Sequence, residues 1–202
     1  MTENKNKQIL AVFDFDGTIT TRDTMFDFIS FYHNKWKLIL GLCVLSPILV
    51  LYKLGFISNT SAKQKLLSFF FKGEKVDSFE KKSQEYISKI ELIVRSKAIE
   101  AIKWHQEQGH TVLIDSASID RWIQPWANKI GIDTVIATKL EIKDGIFTGN
   151  LASKNCYGKE KVSRLLELFP SESIYLMYAY GDSRGDKELL KIADHSFYKE
   201  FH

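Results

Sequence analysis

Hydrophobic positions along this chain fall into two regimes. Residues 8–13, Gln-Ile-Leu-Ala-Val-Phe, form an apolar run of strand length that stops at Asp14. A strand buried on both faces reads this way. From residue 24 the spacing turns helical. Phe26, Phe28, Ile29, Phe31 and Tyr32 predict a helix over 24–33. Residues 38–52 are uncharged, bounded by Lys37 and Lys53, and contain Gly41, Ser46 and Pro47. A membrane span needs about 18 to 20 apolar residues, so this run falls short. Pro47 is expected to break or kink a helix here. Core helices of an inserted domain are the preferred reading, and docking on a membrane or lipid is the alternative. Residues 58–97 read as helices with basic faces, with Leu66, Leu67, Phe69, Phe70, Phe71, Phe79, Tyr86 and Ile90 on the apolar side.

Beyond residue 97 the pattern alternates. The spacing predicts a helix over 98–108 that Gly109 can end, a strand over 111–115, and a helix over 119–130 interrupted early by Pro125. A strand over 134–137 follows, then a β-hairpin over 140–149 with Asp144-Gly145 at its turn. A helix over 158–168, a strand over 173–180 and a helix over 185–192 complete the series. Strands alternating with helices imply a parallel sheet covered on both faces. The first strand is separated from the others by the helical stretch. The expected fold is therefore α/β, a Rossmann-like parallel sheet core from residues 1–22 and 96–202, with 23–95 inserted as a helical cap.

Composition sets bounds on this picture. The 202 residues are 45% hydrophobic and 26% charged, ordinary for a soluble globular protein. A net charge of +3 is too small to argue for nucleic acid. Residues 53–103 are locally positive, with eleven Lys/Arg against six Asp/Glu. A solvated helical face is the usual cause, and a field attracting anionic substrates is the other. Cys43 and Cys156 stand far apart in no metal-ligand spacing, which fits a reducing, cytoplasmic compartment. Residues 1–7 are polar, lack the apolar core of a secretory signal, and read as a frayed terminus.

The candidate chemistry lies at strand ends. A parallel sheet delivers the last residues of each strand to one edge. The first strand delivers Asp14 and Asp16, the second Asp115, Ser116 and Ser118, and a later one Gly181-Asp182-Ser183-Arg184-Gly185-Asp186. Lys159 and Lys161 stand just inside a nearby helix. Such an acidic rim repels itself unless a cation sits in it, and oxygen ligands with water and phosphate suit Mg²⁺. Plainer roles are open for several residues. Ser118, just before Ile119, is read as a helix cap, and Asp186 suits a helix N-terminus. Asp115 should point away from Ser116 by strand alternation, toward a lysine outside the site.

These residues come in the order of the motifs of the haloacid dehalogenase superfamily. Asp14-Phe-Asp-Gly-Thr18, Ser116 after an apolar strand, Lys161, and Gly181-Asp182-Ser-x-x-Asp186 carry the likeness. The helical insertion resembles that family's C1 cap. Ser116-Ala-Ser118 and Asn155-Cys-Tyr-Gly-x-Glu-Lys161 resemble its phosphoserine phosphatase-like branch. The resemblance implies a Mg²⁺-dependent phosphomonoester hydrolase with Asp14 as nucleophile and Asp16 as general acid and base. It implies a metal held by the Asp14 carboxylate, the Asp16 backbone carbonyl and Asp182, with Asp186 ordering the shell. Ser116 and Lys161 would bind the phosphoryl oxygens, supported by Thr18. Asp23 matches the acidic residue by which phosphoserine phosphatases recognise the substrate amine. Their cap arginine is missing, and Lys63 and Lys65 are the nearest cations. The expected substrate is a small phosphorylated metabolite, phosphoserine-like among the options. Alternatives are a lipid phosphate of the phosphatidylglycerol phosphate type, reached through peripheral membrane contact by residues 38–57, and a non-catalytic phospho-ligand-binding module. A serine hydrolase reading is weak, because Ser116 lies in no Gly-x-Ser-x-Gly elbow.

Overall fold

β1 (Gln8–Phe13) is the central strand of a five-stranded parallel sheet. In the computed structural model, which describes residues 8–170 and 175–202, it lies between β2 (Thr111–Ile119) and β6 (Tyr175–Gly181). β3 (Thr134–Thr138) and β7 (His195–Tyr198) are the edges, giving the order β3-β2-β1-β6-β7. The polar stretch 1–7 and the start of the strand expected from residue 173 lie outside the described residues.

The central strand is buried on both sides because its apolar residues split by parity. Ala11 and Phe13 join one core cluster, with α5 (Ser96–Glu107) and α6 (Asp120–Lys129). Leu10 and Val12 join the other, with α7 (Lys159–Leu168) and α8 (Lys187–Ile192). Helices therefore cover both faces, as the alternating pattern predicts. Val12 pairs with Leu113 on one side and Ala179 on the other, so the three strands end level with one another. That register places residues 14, 115–116 and 181–182 along one edge.

Between β1 and β2 the chain forms α1 (Thr24–His33), α2 (Lys35–Lys53), α3 (Asn59–Phe71) and α4 (Val76–Glu91). The entry and exit of this excursion are clasped together. Thr21 N–H donates to the Ile93 carbonyl at 2.7 Å, and Arg95 N–H to the Ile19 carbonyl at 2.8 Å. Aromatic residues fill its interior. Phe28 lies 4.8 Å from Trp122 of α6, 5.0 Å from Tyr86 and 5.1 Å from Phe79, between ring centroids.

Two expectations are corrected. Pro47 does not break α2, which runs unbroken across it. A helix-interior proline leaves the carbonyl four residues back without its partner. Here Ser46 Oγ donates to the Cys43 carbonyl at 2.8 Å and fills that role. The same helix is not a core helix. Its inward face packs closely, since a Cβ on Gly41 would stand 2.3 Å from the Phe70 ring, but its outward face is bare. The expected hairpin is β4 (Leu140–Lys143) with β5 (Ile146–Leu151). It forms as expected, with Asp144 and Gly145 both at positive φ, the signature of a tight two-residue turn. It lies apart from the large sheet and pairs instead with the α3–α4 connection. Gly73 N–H donates to the Phe147 carbonyl at 2.8 Å, and Phe147 N–H to the Glu74 carbonyl at 3.0 Å.

Candidate active site

The loop after β1 sets the geometry. Asp14 N–H donates to the Tyr180 carbonyl at 2.9 Å, holding Asp14 at the sheet edge. The chain then makes a wide turn closed by Thr20 N–H on the Phe15 carbonyl at 2.9 Å. Gly17 takes φ +85° within it, and a Cβ there would lie 2.3 Å from Asp182 Oδ2. Only glycine lets the loop after β1 approach the loop after β6 this closely.

Lys161 occupies the centre, 1% exposed in the first turn of α7. Its ammonium donates to Asp14 Oδ1 at 2.7 Å, Asp186 Oδ1 at 2.7 Å and the Asp115 carbonyl at 2.5 Å. All three of its N–H groups are thereby used. Burial alone would lower its pKa, but Asp14, Asp186 and Asp115 hold it well above the ordinary lysine value. Asp14 Oδ2 accepts from Thr18 Oγ1 at 3.2 Å. Burial pushes the Asp14 carboxyl up to about 8, against the pull of Lys161, and repulsion from Asp186 adds to it.

Asp182 and Asp186 differ in kind. Asp186 is fully engaged: Oδ1 takes Lys161, while Oδ2 accepts from Ser183 N at 2.9 Å, Ser183 Oγ at 2.8 Å and Asp182 N at 3.2 Å. Burial opposes its ionisation, yet Lys161 and Ser183 hold its carboxyl below the usual range. Asp182 Oδ1 is buried and has no hydrogen-bond partner. Burial and then Asp186 raise the Asp182 carboxyl. Asp14, Asp182 and Asp186 can each bring an oxygen within 4.8 Å of the others. One lysine faces three carboxylates, so the cluster lacks positive charge. An orphaned carboxylate oxygen in such a cluster fits a hard divalent cation, and Asp186, already saturated, fits the role of organiser.

On the far side of the turn, Asp16 is held by the first residue of α1. Its Oδ1 accepts from Thr24 N at 2.7 Å and Thr24 Oγ1 at 2.6 Å. Its Oδ2 accepts from Ser118 Oγ. Ser118 therefore does not cap α6, whose N-cap is Ile119. β2 runs on to Ile119, with a shift in its register against β3 between Ser116 and Ile119. Ser118 thus lies in the strand and reaches Asp16 from it. Ser116 is fully buried, its Oγ accepting from Ser118 N at 3.0 Å and keeping its own proton to donate. Trp122 Nε1 donates to Thr24 Oγ1 at 3.2 Å and steadies the group.

The remaining candidates separate clearly. Asp115 is fully buried but its side chain meets no lysine. Its Oδ1 accepts from Cys156 Sγ at 3.2 Å, its Oδ2 has no partner, and burial pushes the carboxyl up to about 6. Lys159 and Lys65 are exposed. Lys63 instead reaches from α3 to the Ala117 carbonyl and to Asn155 Oδ1, the latter at 3.1 Å. Burial lowers its pKa, against the pull of Asp16 and Asp23. Asp23 is the N-cap of α1, accepting from Met25 N at 2.8 Å. The protein around it, and then Asp16, push its carboxyl up to about 6. Residues that the motifs did not mark are Thr24, Arg95 and His202, the last two donating to the Gly17 carbonyl through Nε at 3.2 Å and Nε2 at 3.1 Å.

Known proteins resemble this chain in sequence and in fold. A model of the haloacid dehalogenase-like hydrolases matches residues 11–191. Protein CicA of Caulobacter vibrioides is 32% identical over 202 residues, covering 98% of this chain and 89% of CicA. The crystal structure of a protein of unknown function from Bordetella pertussis superposes with a TM-score of 0.80 at 20% identity, over 92% of this chain and 86% of that one. A phospho-aspartyl intermediate analogue of phosphoserine phosphatase superposes with a TM-score of 0.65 at 26% identity, over 93% of this chain and 84% of that one.

Proposed function

The chain belongs to the haloacid dehalogenase-like hydrolase family, and from that premise we propose that it is a phosphatase that hydrolyses a small phosphorylated metabolite with Mg²⁺ through an aspartyl-phosphate. The observation that carries this reading is Asp14 clamped by Lys161 beside the buried, unpartnered Asp182 Oδ1. That arrangement offers a nucleophilic carboxylate, a fixed cation and an open position for a metal.

Asp14 attacks phosphorus, forming the acyl-phosphate as the ester oxygen departs. Asp16 gives that oxygen its proton, then takes one from the water that attacks the acyl-phosphate and releases inorganic phosphate. Thr24 and Ser118 hold the Asp16 carboxylate in place for both proton transfers. Ser116 donates its hydroxyl to a phosphoryl oxygen, and Lys161 neutralises charge on the transferring group while fixing Asp14. Thr18 restrains the second Asp14 oxygen. Mg²⁺, held by Asp14, the Asp16 carbonyl and Asp182, would supply further charge neutralisation to the phosphoryl oxygens. Asp186 orders this arrangement without offering an open oxygen of its own.

Residues 1–22 and 96–202 act as the catalytic core in this reading, and 23–95 as a cap that selects the substrate. Asp23 and Lys63 flank Asp16 and suit the amine and carboxylate of a phosphoserine-like ester. Two N–H groups of Lys63 are already committed, so it has one donor to give and cannot grip a carboxylate as arginine would. Unpaired Cys43 and Cys156 suit a cytoplasmic protein. The bare apolar face of α2 favours a second substrate class, a phosphomonoester carried on lipid.

The test is phosphate release from a panel of esters with Mg²⁺ and with chelator: phosphoserine, sugar phosphates, nucleotides, and phosphatidylglycerol phosphate in mixed micelles. Mg²⁺-dependent release from a soluble ester is expected. Preference for the micellar ester would move the assignment to the lipid class, and release that ignores chelator would overturn the metal's role.

A further inference from the structure

The outward face of α2 has no partner among the described residues. Trp36, Leu40, Val44 and Val50 stand on it, and Leu54 and Phe56 carry it past the helix end. Trp36 is 80% exposed and Phe56 75%. Six large apolar side chains exposed along one helix and the turn after it mark an interaction site.

Charge narrows the partner. Residues 28–73 hold six lysines, at 35, 37, 53, 63, 65 and 72, and no acidic residue. Lys35, Lys37 and Lys53 bracket α2 itself. A second copy of the chain would pair this face with itself and bring like charges together, which costs affinity. An anionic surface meets both the lysines and the apolar face. Trp36 and Tyr52, near the two ends of the helix, are the side chains that favour a water–lipid boundary.

The helix is also tied down at both ends. His33, just before it, bonds the Phe70 carbonyl through Nε2 at 2.7 Å. Tyr52 accepts from Asn59 Nδ2 at 2.9 Å, and Asn59 is bonded to Asn155 of the core. Gly41 meets the Phe69 and Phe70 rings midway. Crossing a bilayer would break all of these contacts, whereas lying flat on one keeps them.

We propose that α2, with residues 54–56, docks in the plane of a bilayer bearing anionic lipid. The docking stands on the exposed face and the charge. What it delivers rests on the phosphatase reading: Tyr52, Asn59, Asn155 and Lys63 form a chain of contacts from the docked helix to the site, which sets the mouth of the site beside the headgroups.

The experiment uses the whole chain with phosphatidylcholine vesicles, with and without phosphatidylglycerol. An environment-sensitive fluorophore goes on Cys43, exposed on α2, while Cys156 is buried. Co-sedimentation with the anionic vesicles, a blue shift of the label, and weakening by salt are expected. The double variant Leu40→Glu/Val44→Glu should reduce the bound fraction by about tenfold or more while hydrolysing para-nitrophenyl phosphate as before. Absence of vesicle binding by a protein that still hydrolyses that ester would overturn the docking and leave the phosphatase reading standing. Concentration-dependent dimers that the double variant abolishes, without vesicle binding, would assign the face to a second copy. Vesicle binding without hydrolysis of any ester would keep the docking and remove the phosphatase reading.

Discussion

Lys161 Nζ lies 2.7 Å from Asp14 Oδ1, with 1% and 8% of the two side chains exposed. A buried pair of this kind is strongly destabilised when one partner is removed, because the other charge is left without compensation. Here Lys161 also serves Asp186 and the Asp115 carbonyl. Lys161→Met is expected to abolish phosphatase activity and to cost about 3–5 kcal/mol of stability, read from denaturant unfolding. Asp14→Asn keeps an oxygen for Lys161 to bind and should retain the fold while losing turnover. Full activity in Asp14→Asn would remove Asp14 as the nucleophile.

Asp182→Asn tests the open metal position. Its Oδ1 is buried and unpartnered, so the fold gains little from its charge. The variant should fold with stability close to that of the parent and require a much higher Mg²⁺ concentration for activity. An unchanged Mg²⁺ requirement would take Asp182 out of the metal shell. Gly17→Ala should act in the same direction, since its Cβ would fall 2.3 Å from Asp182 Oδ2.

Ser118 is expected to act on proton transfer alone. It is one of three donors to the Asp16 carboxylate, the other two being the Thr24 N–H and hydroxyl. Losing a general acid outright typically costs about 10²–10⁴ in rate. Ser118→Ala should lower kcat by about tenfold and Asp16→Asn by more, with KM little changed. In the first step, read as pre-steady-state release of the leaving group, the defect should be large for an alkyl phosphate and small for para-nitrophenyl phosphate, whose leaving group needs no proton. Equal losses on both esters in that step would show that Ser118 supports the fold of the site and not the acid.

Much of this site could be read from the chain because the chemistry sits at strand ends. Apolar runs stopping at Asp14, Ser116 and Asp182 locate one sheet edge without any knowledge of side-chain contacts. Ser118 reads as a cap because the apolar run of β2 ends before Asp115, and two polar serines obscure the strand that continues through them to Ile119. β7 was invisible: His195–Tyr198 is a short edge strand with a largely exposed burial pattern, leaving no apolar alternation to detect. The bare face of α2 was hidden for the opposite reason. Where nearly every residue is apolar, periodicity cannot separate the side packed on Phe70 from the side left open. Pro47 misled because the hydroxyl that satisfies the freed carbonyl belongs to its own neighbour, Ser46.

Away from the site, His105 predicts an acid sensitivity. It is fully buried, with Nε2 bonded to Tyr180 Oη at 3.0 Å and Nδ1 to His110 Nδ1 at 2.7 Å. Burial, and then His110, push its pKa down to about 4 from the ordinary 6.5. Between those values the unfolded chain binds a proton that the folded protein refuses. Stability from this group is therefore present above the ordinary value and lost as pH falls from there toward about 4. His105→Gln should show a smaller loss of unfolding midpoint between about pH 7 and pH 5 than the parent chain. An identical loss in both would place the acid sensitivity elsewhere.

The raised carboxyl of Asp14 predicts how Mg²⁺ and pH work together. Without metal, burial pushes it up to about 8 from 3.8, with Lys161 opposing and Asp186 and Asp16 adding repulsion. Between those values the folded protein holds a proton that the unfolded chain releases. This group's contribution to metal-free stability therefore falls as pH rises through that window. Mg²⁺ needs the ionised carboxylate, so below the folded pKa it must displace the proton, at about tenfold in apparent affinity for each pH unit. At a fixed Mg²⁺ concentration, the gain in Tm should be larger at about pH 8.5 than at about pH 5.5. Asp14→Asn carries no such proton, so its smaller Mg²⁺ shift should vary less with pH. A parent chain whose Mg²⁺ shift is the same at both pH values would show that Asp14 is already ionised in the metal-free protein, with Lys161 outweighing burial and its acidic neighbours.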